Sequence, residues 1–446
     1  MESFPRWSPL GHYGQAVGLS GAARVPVRRG TPLLAPALAF AITLAYAIFE
    51  YGRPQDAIPA LAPLRLSLVT SGVLALVVFK YAREIDWFRP QVLVLSLVLF
   101  MMYAWVPLAT NNYWALKTTL VITQTYLFVT AIATFVDTER RLRIFALTWI
   151  AAGLFQAISG IAHGGTGTGY FQADENDYAL SMCMILPFAV LTSRAMHGRL
   201  AKGLCWVTAA ACVAGVVISN SRGGFVGLVT TAGMMVLLHP RRARMLLAGA
   251  LAAGALVLVT PQAYWDEIRT ITDQGGTRAD RMTLWGIAWK AYRANPVFGV
   301  GPSNVNWVMN DYQEYDPSTR MMGGRVVHSL YLTLLAEMGT VGAILFLLLL
   351  AYNGRDLVAL LRGRRGREDV PFDAYARAIV CSIVAYLVCG IFLTVIWYPH
   401  LYVLTGLVLA TASVARRTAP AARPADAPGP ELRAAEAAGA LEGATS

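Results

Sequence analysis

The stretch HSLYLTLLAEMGTVGAILFLLLL, residues 328–350, decides the fold class. After its histidine it is an apolar run with a single charged residue, long enough to cross the ~30 Å hydrocarbon core of a bilayer as one helix. Comparable runs recur along the 446-residue chain, in which hydrophobic residues make up 56% and charged residues only 14%. A soluble domain carries about one quarter charged residues. The sequence therefore predicts an all-α polytopic membrane protein.

Hydropathy predicts about twelve transmembrane helices. They lie near residues 33–49, 61–79, 91–109, 115–135, 143–162, 178–193, 203–219, 223–238, 244–260, 329–352, 376–396 and 399–414. The resulting divisions are an N-terminal segment (1–32), helices 1–9 (33–260), one large loop (261–328), helices 10–12 (329–414) and a tail (415–446). The tail is rich in Ala, Pro and Glu, a composition typical of disorder.

The basic residues predict the orientation. If the N-terminus is inside, 26 of the 37 lysines and arginines lie in the inner segments, and each inner segment holds at least three. This asymmetry is typical of cytoplasmic connections, so we expect both termini inside and the large loop outside. Because the basic residues cluster between spans, the formal charge of +11 indicates topology and not binding to nucleic acid. The eleven outer ones are Arg53, Arg65, Lys117, Arg222, Arg269, Arg278, Arg281, Lys290, Arg293, Arg320 and Arg325.

Arg222 lies in the outer turn SNSRGG between the seventh and eighth spans. Gly223 and Gly224 would let a ligand approach the backbone, and the free N–H groups of the following helix favour an anion. A phosphate would suit this turn. The alternative is an arginine that extends to lipid headgroups, and the residues alone leave both possibilities open.

The loop contains a helical pattern, TRADRMTLWGIAWKAYRANP, which begins near Arg278 and ends at Asn295 before a proline. At helical spacing one broad face is shared by Arg281, Trp285, Trp289 and Tyr292. Aromatic rings with polar edges suit a helix that lies in the membrane surface. We expect an amphipathic helix there, with an arginine pair at its beginning directed at an anionic headgroup.

His328 is the only histidine of the outer segment and stands where the polar loop meets the tenth span. A histidine at a helix end is more often structural than catalytic. Its ordinary pKa near 6.5 nevertheless suits it to general base work near neutrality. Glu337 lies nine residues further, about half a turn round the helix, and therefore faces away from His328. We expect Glu337 to pair with another span.

Four polar residues, Asp174 to Asp177, precede the sixth span. Such carboxylates can hold a divalent metal, but they also cap a helix and favour its dipole, and we prefer the cap. The sequence has no nucleotide loop, nucleophile elbow or metal-spaced histidine pair. The five cysteines lie within apolar spans and lack the context of disulfides or zinc ligands. We therefore predict no metal and no cofactor.

Three stretches carry a family resemblance: SNSRGGFVG (219–227), RMTLWGIAWKAYRANPVFGVGPSNV (281–305) and HSLYLTLLAEMGTVGAILF (328–346). They contain an SRG turn, an R-x-x-x-W helix running into P-x-x-G-x-G, and an H-x-x-x-L-x-x-L-x-E-x-G-x-x-G span. Over roughly residues 170–350 the chain thereby resembles the O-antigen ligase/polymerase superfamily of bacterial inner-membrane glycan enzymes. One departure is Ser329, where family members often have asparagine.

The resemblance implies a reaction on the periplasmic side of the inner membrane. A glycan carried on undecaprenyl diphosphate would be transferred to a sugar hydroxyl of lipid A-core, which completes lipopolysaccharide. Arginines can neutralise the departing diphosphate without a metal. The catalytic candidate is His328, the donor-binding candidates are Arg222, Arg281, Arg278 and Lys117, and the acceptor-binding candidates are Trp285, Trp289 and Arg325.

Three other functions remain open. An O-antigen polymerase uses the same donor, but polymerases resembling this family tend to have two large outer loops, whereas this chain has one. A ligase that attaches glycans to proteins is hardly separable by sequence, and YFQADENDYALSMCMILPF resembles such a subgroup. A lipid-linked glycan flippase would place ionisable groups or broken helices within the membrane. Because mid-span charges are few here, we favour an enzyme.

Overall fold

The structure is a computed structural model that describes residues 35–259, 262, 277–314, 321–362 and 372–418. Every regular element in these residues is a helix, which confirms the all-α class. In chain order the α-helices are α1 (Pro36–Ala47), α2 (Pro54–Ala57), α3 (Leu66–Lys80), α4 (Pro90–Trp105), α5 (Asn112–Phe135), α6 (Glu139–Ala162), α7 (Glu175–Thr192), α8 (Arg199–Ile218), α9 (Arg222–Leu238), α10 (Arg242–Val259), α11 (Thr277–Ala294), α12 (Val305–Tyr312), α13 (Leu330–Arg362), α14 (Phe372–Cys389) and α15 (His400–Thr418).

A helix lies at each of the twelve predicted positions, but not all twelve meet the criteria for a span. Among the described residues seven helices are long and apolar enough to cross a membrane. They are Pro59–Lys80, Asn112–Phe135, Glu139–Ala162, Glu175–Ala195, Arg199–Ile218, Leu330–Arg362 and Phe372–Cys389. Three shorter apolar helices are Pro36–Gly52, Pro90–Trp105 and Arg222–Leu238. The chain is a multi-pass membrane protein, whereas the number twelve stays a prediction.

The helix α7 is the central helix of the bundle. Within its apolar window 83% of the residues are buried, and α6, α8, α9 and α14 pack around it. Small residues allow this close approach, as is common between membrane helices. A Cβ added at Gly160 of α6 would lie 2.3 Å from the ring of Tyr178 on α7, and the Tyr178 hydroxyl donates to the Ala157 carbonyl at 3.0 Å. The five cysteines are buried and free, as expected from the sequence.

The described part of the predicted loop is folded against the bundle. Leu284, Ile287 and Ala291 of α11 are buried in a cluster with Met309 of α12 and Ala336 of α13. The helix α11 confirms the helical pattern read between Arg278 and Asn295. Apolar side chains on α11 and α12 pack against α13, so these residues of the predicted loop are not surrounded by solvent on all sides.

The segment after α11 enters the middle of α13, where the helix is broken. Gly339 has φ 63° and ψ −163°, a conformation that glycine adopts without a steric penalty. On either side of the break, Val300 N donates to the Ala336 carbonyl at 2.9 Å, and Thr340 N donates to the Pro296 carbonyl at 2.8 Å. Backbone groups released by the break are thus paired with residues 296–301, as any buried backbone requires. The hydropathy pattern predicted one continuous span here.

The predicted N-terminal segment and most of the tail lie outside the described residues, as do residues 263–276 of the loop. The final helix continues to Thr418, four residues beyond the predicted end of the last span. Which side of the membrane each segment faces stays a prediction.

Candidate active site

The turn that carries Arg222 is fixed to the beginning of α7. Ser221 caps α9, its Oγ accepting from Gly224 N at 2.9 Å, and the same hydroxyl donates to Asn176 Oδ1 at 2.7 Å. A Cβ added at Gly224 would lie 2.5 Å from the Ala179 Cβ. Gly224 therefore serves helix packing, which corrects the expectation that it lets a ligand approach. Arg222 is the first residue of α9 and lies beside the beginning of α7.

Asp174 caps α7, as the capping interpretation predicted. Its Oδ1 accepts from Asn176 N at 2.8 Å and from Asn176 Nδ2 at 2.9 Å. The next carboxylates also have partners, since Glu175 Oε1 accepts from Asn176 Nδ2 at 2.9 Å and Asp177 Oδ2 accepts from the Tyr398 hydroxyl at 2.8 Å. Within the described residues no group of three or more Asp, Glu, His or Cys side chains is arranged to hold a metal ion.

Two arginines reach the site from the segment between α10 and α13. Arg281 is half-buried on the first turns of α11. Arg325 lies three residues before His328, and its Nη1 donates to Asp280 Oδ2 at 2.7 Å. Because Asp280 precedes Arg281 on α11, this ion pair joins the segment just before His328 to the helix that carries Arg281.

His328 is held in a left-handed backbone conformation, with φ 54°. Histidine adopts this region less readily than glycine, and the strain costs on the order of 1–3 kcal/mol. Two contacts maintain it: His328 N donates to Thr394 Oγ1 at 2.8 Å, and Leu330 N donates to the Gly390 carbonyl at 2.8 Å. Strained residues persist where the surrounding structure over-determines them, and they cluster at functional sites.

Electrostatic interactions show that these side chains converge. Burial lowers the pKa of His328 below its ordinary value; the positive charge of Arg281, and to a smaller extent that of Arg325, lowers it further, while Asp174 opposes the shift. Burial also lowers the pKa of Arg281, as does the charge of Arg222, again opposed by Asp174. The imidazole of His328 is therefore neutral near neutrality. The charges of Arg281 and Asp174 thus act on His328, and those of Arg222 and Asp174 act on Arg281.

The other predicted site residues lie as follows. Lys117 is exposed at the beginning of α5, with its ammonium 4.3 Å from the ring centroid of Trp114, and its charge is not among those that shift the pKa of Arg281 or His328. Trp285 packs on the core between α11 and α12, whereas Trp289 is exposed beside Tyr292 at 5.2 Å between ring centroids. The side chain of Arg278 lies outside the described part of the chain.

Glu337 is buried on α13 and pairs away from His328, as its helical position predicted. Its Oε2 accepts from Trp397 Nε1 at 2.6 Å and from Ser303 N at 2.8 Å, and its Oε1 accepts from Val305 N at 3.3 Å. The carboxylate therefore joins the segment between α14 and α15 to the beginning of α12. Sequence reasoning expected a partner on another span, whereas the partners are Trp397 on the connection between α14 and α15 and two backbone N–H groups.

Two positioning contacts were also missed by sequence reasoning. Asn176 ties the Arg222 turn to α7, and its place in the acidic cluster was the available signal. Thr394 holds the His328 backbone from 66 residues away in sequence, and no local pattern indicates such a contact.

One family model matches the part of the chain that contains most of the candidate site residues. Residues 207–347 match the family model described as O-antigen ligase. The matched segment is about a third of the chain, and the match supports an assignment to the O-antigen ligase family. The matched segment contains Arg222, Arg281 and His328, and it lies within the region of the resemblance predicted from the sequence. The match supports a glycan-transferring enzyme of the ligase/polymerase superfamily with lipid-linked substrates. None of the curated proteins matches the chain.

Proposed function

We propose that the protein is an O-antigen ligase. It transfers a glycan from undecaprenyl diphosphate to a sugar hydroxyl of lipid A-core on the periplasmic side of the bacterial inner membrane, with both termini in the cytoplasm. The observation that carries this proposal is the strained backbone of His328, held by Thr394 just before a membrane-spanning helix, in a place where burial and the charges of Arg281 and Arg325 lower its pKa. A neutral imidazole accepts a proton, whereas an imidazolium cannot.

The proposed reaction divides between these side chains. Arg222 and Arg281 bind the two phosphates of the donor, whose negative charge offsets the repulsion between their guanidinium groups. Planar guanidinium donors also stabilise the charge that develops on the departing diphosphate. His328 takes the proton of the acceptor hydroxyl as its oxygen attacks the anomeric carbon, and the bond from that carbon to the phosphate oxygen breaks. Attack opposite the leaving group inverts the anomeric configuration, and no metal ion takes part.

The remaining candidates take supporting roles in this proposal. Arg278 and Lys117 bind the donor at the edge of the site, and Trp285, Trp289 and Arg325 bind the acceptor. Arg325 has the most direct support, because its charge acts on His328. The exposed ring of Trp289 suits contact with a sugar or with lipid.

Deletion of the gene and inspection of lipopolysaccharide on a gel tests the reaction. A ligase predicts loss of the long-chain ladder and accumulation of lipid-linked polymer. Short chains capped by a single repeat indicate a polymerase instead. Unchanged lipopolysaccharide with loss of protein glycans indicates a protein ligase. Lipid-linked glycan that accumulates on the cytoplasmic face indicates a flippase.

A further inference from the structure

A cavity lies at the other end of the bundle from the candidate active site. Its volume is about 540 Å³, and residues at the ends of α7 and α9 and near the beginnings of α6, α8, α10 and α14 line it. The helices α7 and α9 both begin at the candidate active site. Because α9 has 17 residues at about 1.5 Å each, roughly 25 Å separates the two places.

The charges around this cavity favour an anion. Of the acidic side chains in its lining, Glu139 accepts from Arg143 Nη2 at 2.7 Å and Asp373 pairs with Arg377 Nη2 at 2.9 Å. Each acid is thus neutralised by an arginine one turn further along its own helix. Arg194 also lines the cavity and adds positive charge.

His239 gives the cavity an oriented hydrogen-bond donor. Arg241 N donates to His239 Nδ1 at 3.1 Å, so the proton of the neutral imidazole is on Nε2. Burial lowers the pKa of His239, and the charges of Arg194, Arg377 and Arg241 lower it further. Arg194 lies in the same lining as this donor, and its positive charge attracts a phosphate.

Part of the cavity lining is apolar. Val190 and Leu191 at the end of α7, Trp206 on α8 and Met245 on α10 contribute it. Trp206 is 57% exposed, and tryptophan is typical of the membrane interface, where one edge of the ring meets headgroups. A soluble anion would gain nothing from these side chains, whereas the glycerol and the first methylenes of a lipid would pack against them.

We propose that this cavity binds the phosphate headgroup of an anionic phospholipid, with Arg194 and His239 as hydrogen-bond donors and Trp206 beside the glycerol. Basic pockets between membrane helices are known to hold such headgroups. The lipid would brace α7 and α9 at the end away from the Arg222 turn. This site is independent of the glycan transfer proposed above.

Native mass spectrometry of the full chain in detergent tests the proposal, by titration with phosphatidylglycerol and with phosphatidylcholine. We expect a one-to-one complex that prefers phosphatidylglycerol. Arg194→Gln should weaken that complex roughly five- to tenfold, the effect of one arginine near an anionic headgroup, and Arg194→Lys should retain most of the affinity. The matched control is Arg199→Gln, an exposed arginine at the beginning of α8 that does not line the cavity.

Three results would overturn the proposal. Equal retention of the two lipids would remove the anionic preference, and an equal loss in Arg194→Gln and Arg199→Gln would indicate nonspecific surface charge. Displacement of the lipid by millimolar glycerol phosphate, with the same dependence on Arg194, would identify a site for a soluble phosphate. Because Arg194 is exposed, its variants should melt at the wild-type temperature without lipid, which separates lost binding from lost folding.

Discussion

Glu337→Ala should destabilise the protein strongly although the residue touches neither proposed substrate. The substitution leaves the N–H groups of Trp397 and Ser303 without their acceptor, at sites where the hydrogen bonds now measure 2.6 and 2.8 Å. An unsatisfied buried donor costs about 1–3 kcal/mol, so the two together cost about 2–6 kcal/mol. That is a large part of a stability of about 5–15 kcal/mol.

The conservative variant Glu337→Gln refines this prediction. A glutamine oxygen in the place of Oε2 can keep both short bonds, but its amide group then faces the N–H of Val305, which now donates to Oε1 at 3.3 Å. Two N–H donors that face each other without an acceptor cost about 1–3 kcal/mol of stability. We therefore expect the wild type to be the most stable, Glu337→Gln to be intermediate and Glu337→Ala to be the least stable. Thermal unfolding in detergent, followed by intrinsic tryptophan fluorescence, measures the order.

The control for this series is Glu314→Gln. Glu314 also accepts from a basic partner, Lys290 Nζ at 2.6 Å, but it is exposed, and we expect no measurable change of melting temperature. A Glu337→Ala protein with the melting temperature of the wild type would refute the stabilising role assigned to this carboxylate. It would also show that the contacts of this carboxylate with Ser303 N and Val305 N contribute little to the stability of the fold.

Three further predictions concern the site and its orientation. Arg222→Ala and Arg281→Ala should each raise the donor KM by about one to two decades, because a charge-assisted contact to a buried phosphate is worth roughly 1.5–3 kcal/mol. Arg222→Lys should also be impaired, since a lysine does not replace the two-pronged contact of an arginine. Near-normal kinetics in both alanine variants would leave the two arginines as lipid anchors. Asp174→Asn keeps the cap of α7 but removes the negative charge that raises the pKa of His328, so the acid limb of the pH–rate profile should move to lower pH. An acid limb at the wild-type pH would contradict the electrostatic effect of Asp174 on His328. A reporter fused at Gly276 should report a position outside the cytoplasm, and a cytoplasmic signal would displace the proposed active site.

Much of the fold follows from local sequence. Helices form where apolar runs are long, because a bilayer leaves the backbone no partner except itself. The break at Gly339 escaped this reasoning, since hydropathy is unchanged through it. Its partner is the segment 296–301, some forty residues earlier, and pairing over such a distance leaves no periodic signal.

The candidate site was predicted residue by residue, but its assembly was not. Arg222, Arg281 and His328 were each singled out by chemistry and by their place in a family pattern. Nothing in their spacing indicates that α7 packs on α9 or that α11 packs on α13. Asp174 illustrates the limit: its sequence position predicts a helix cap, whereas its influence on His328 depends on tertiary packing.

Exposed positions were the least predictable. Lys117 was selected as one of the few basic residues outside, but the side chain lies over Trp114. A long flexible cation finds an aromatic neighbour as readily as a distant anion, and only tertiary structure decides between them.

The most direct test of the proposed mechanism combines a pH–rate profile of the wild-type enzyme with donor affinity of His328→Ala, both in a reconstituted assay. Because the pKa of His328 is lowered, the neutral base persists below pH 6.5, and kcat/KM should fall only as pH drops through that lowered value. The bound diphosphate should raise the pKa, so the acid limb of kcat should lie at higher pH. His328→Ala should bind donor normally and lose 10²–10⁴-fold in turnover, the usual contribution of a general base. Lost donor affinity in that variant, with wild-type activity that rises toward acid, would contradict the account and make His328 a cationic ligand of the diphosphate.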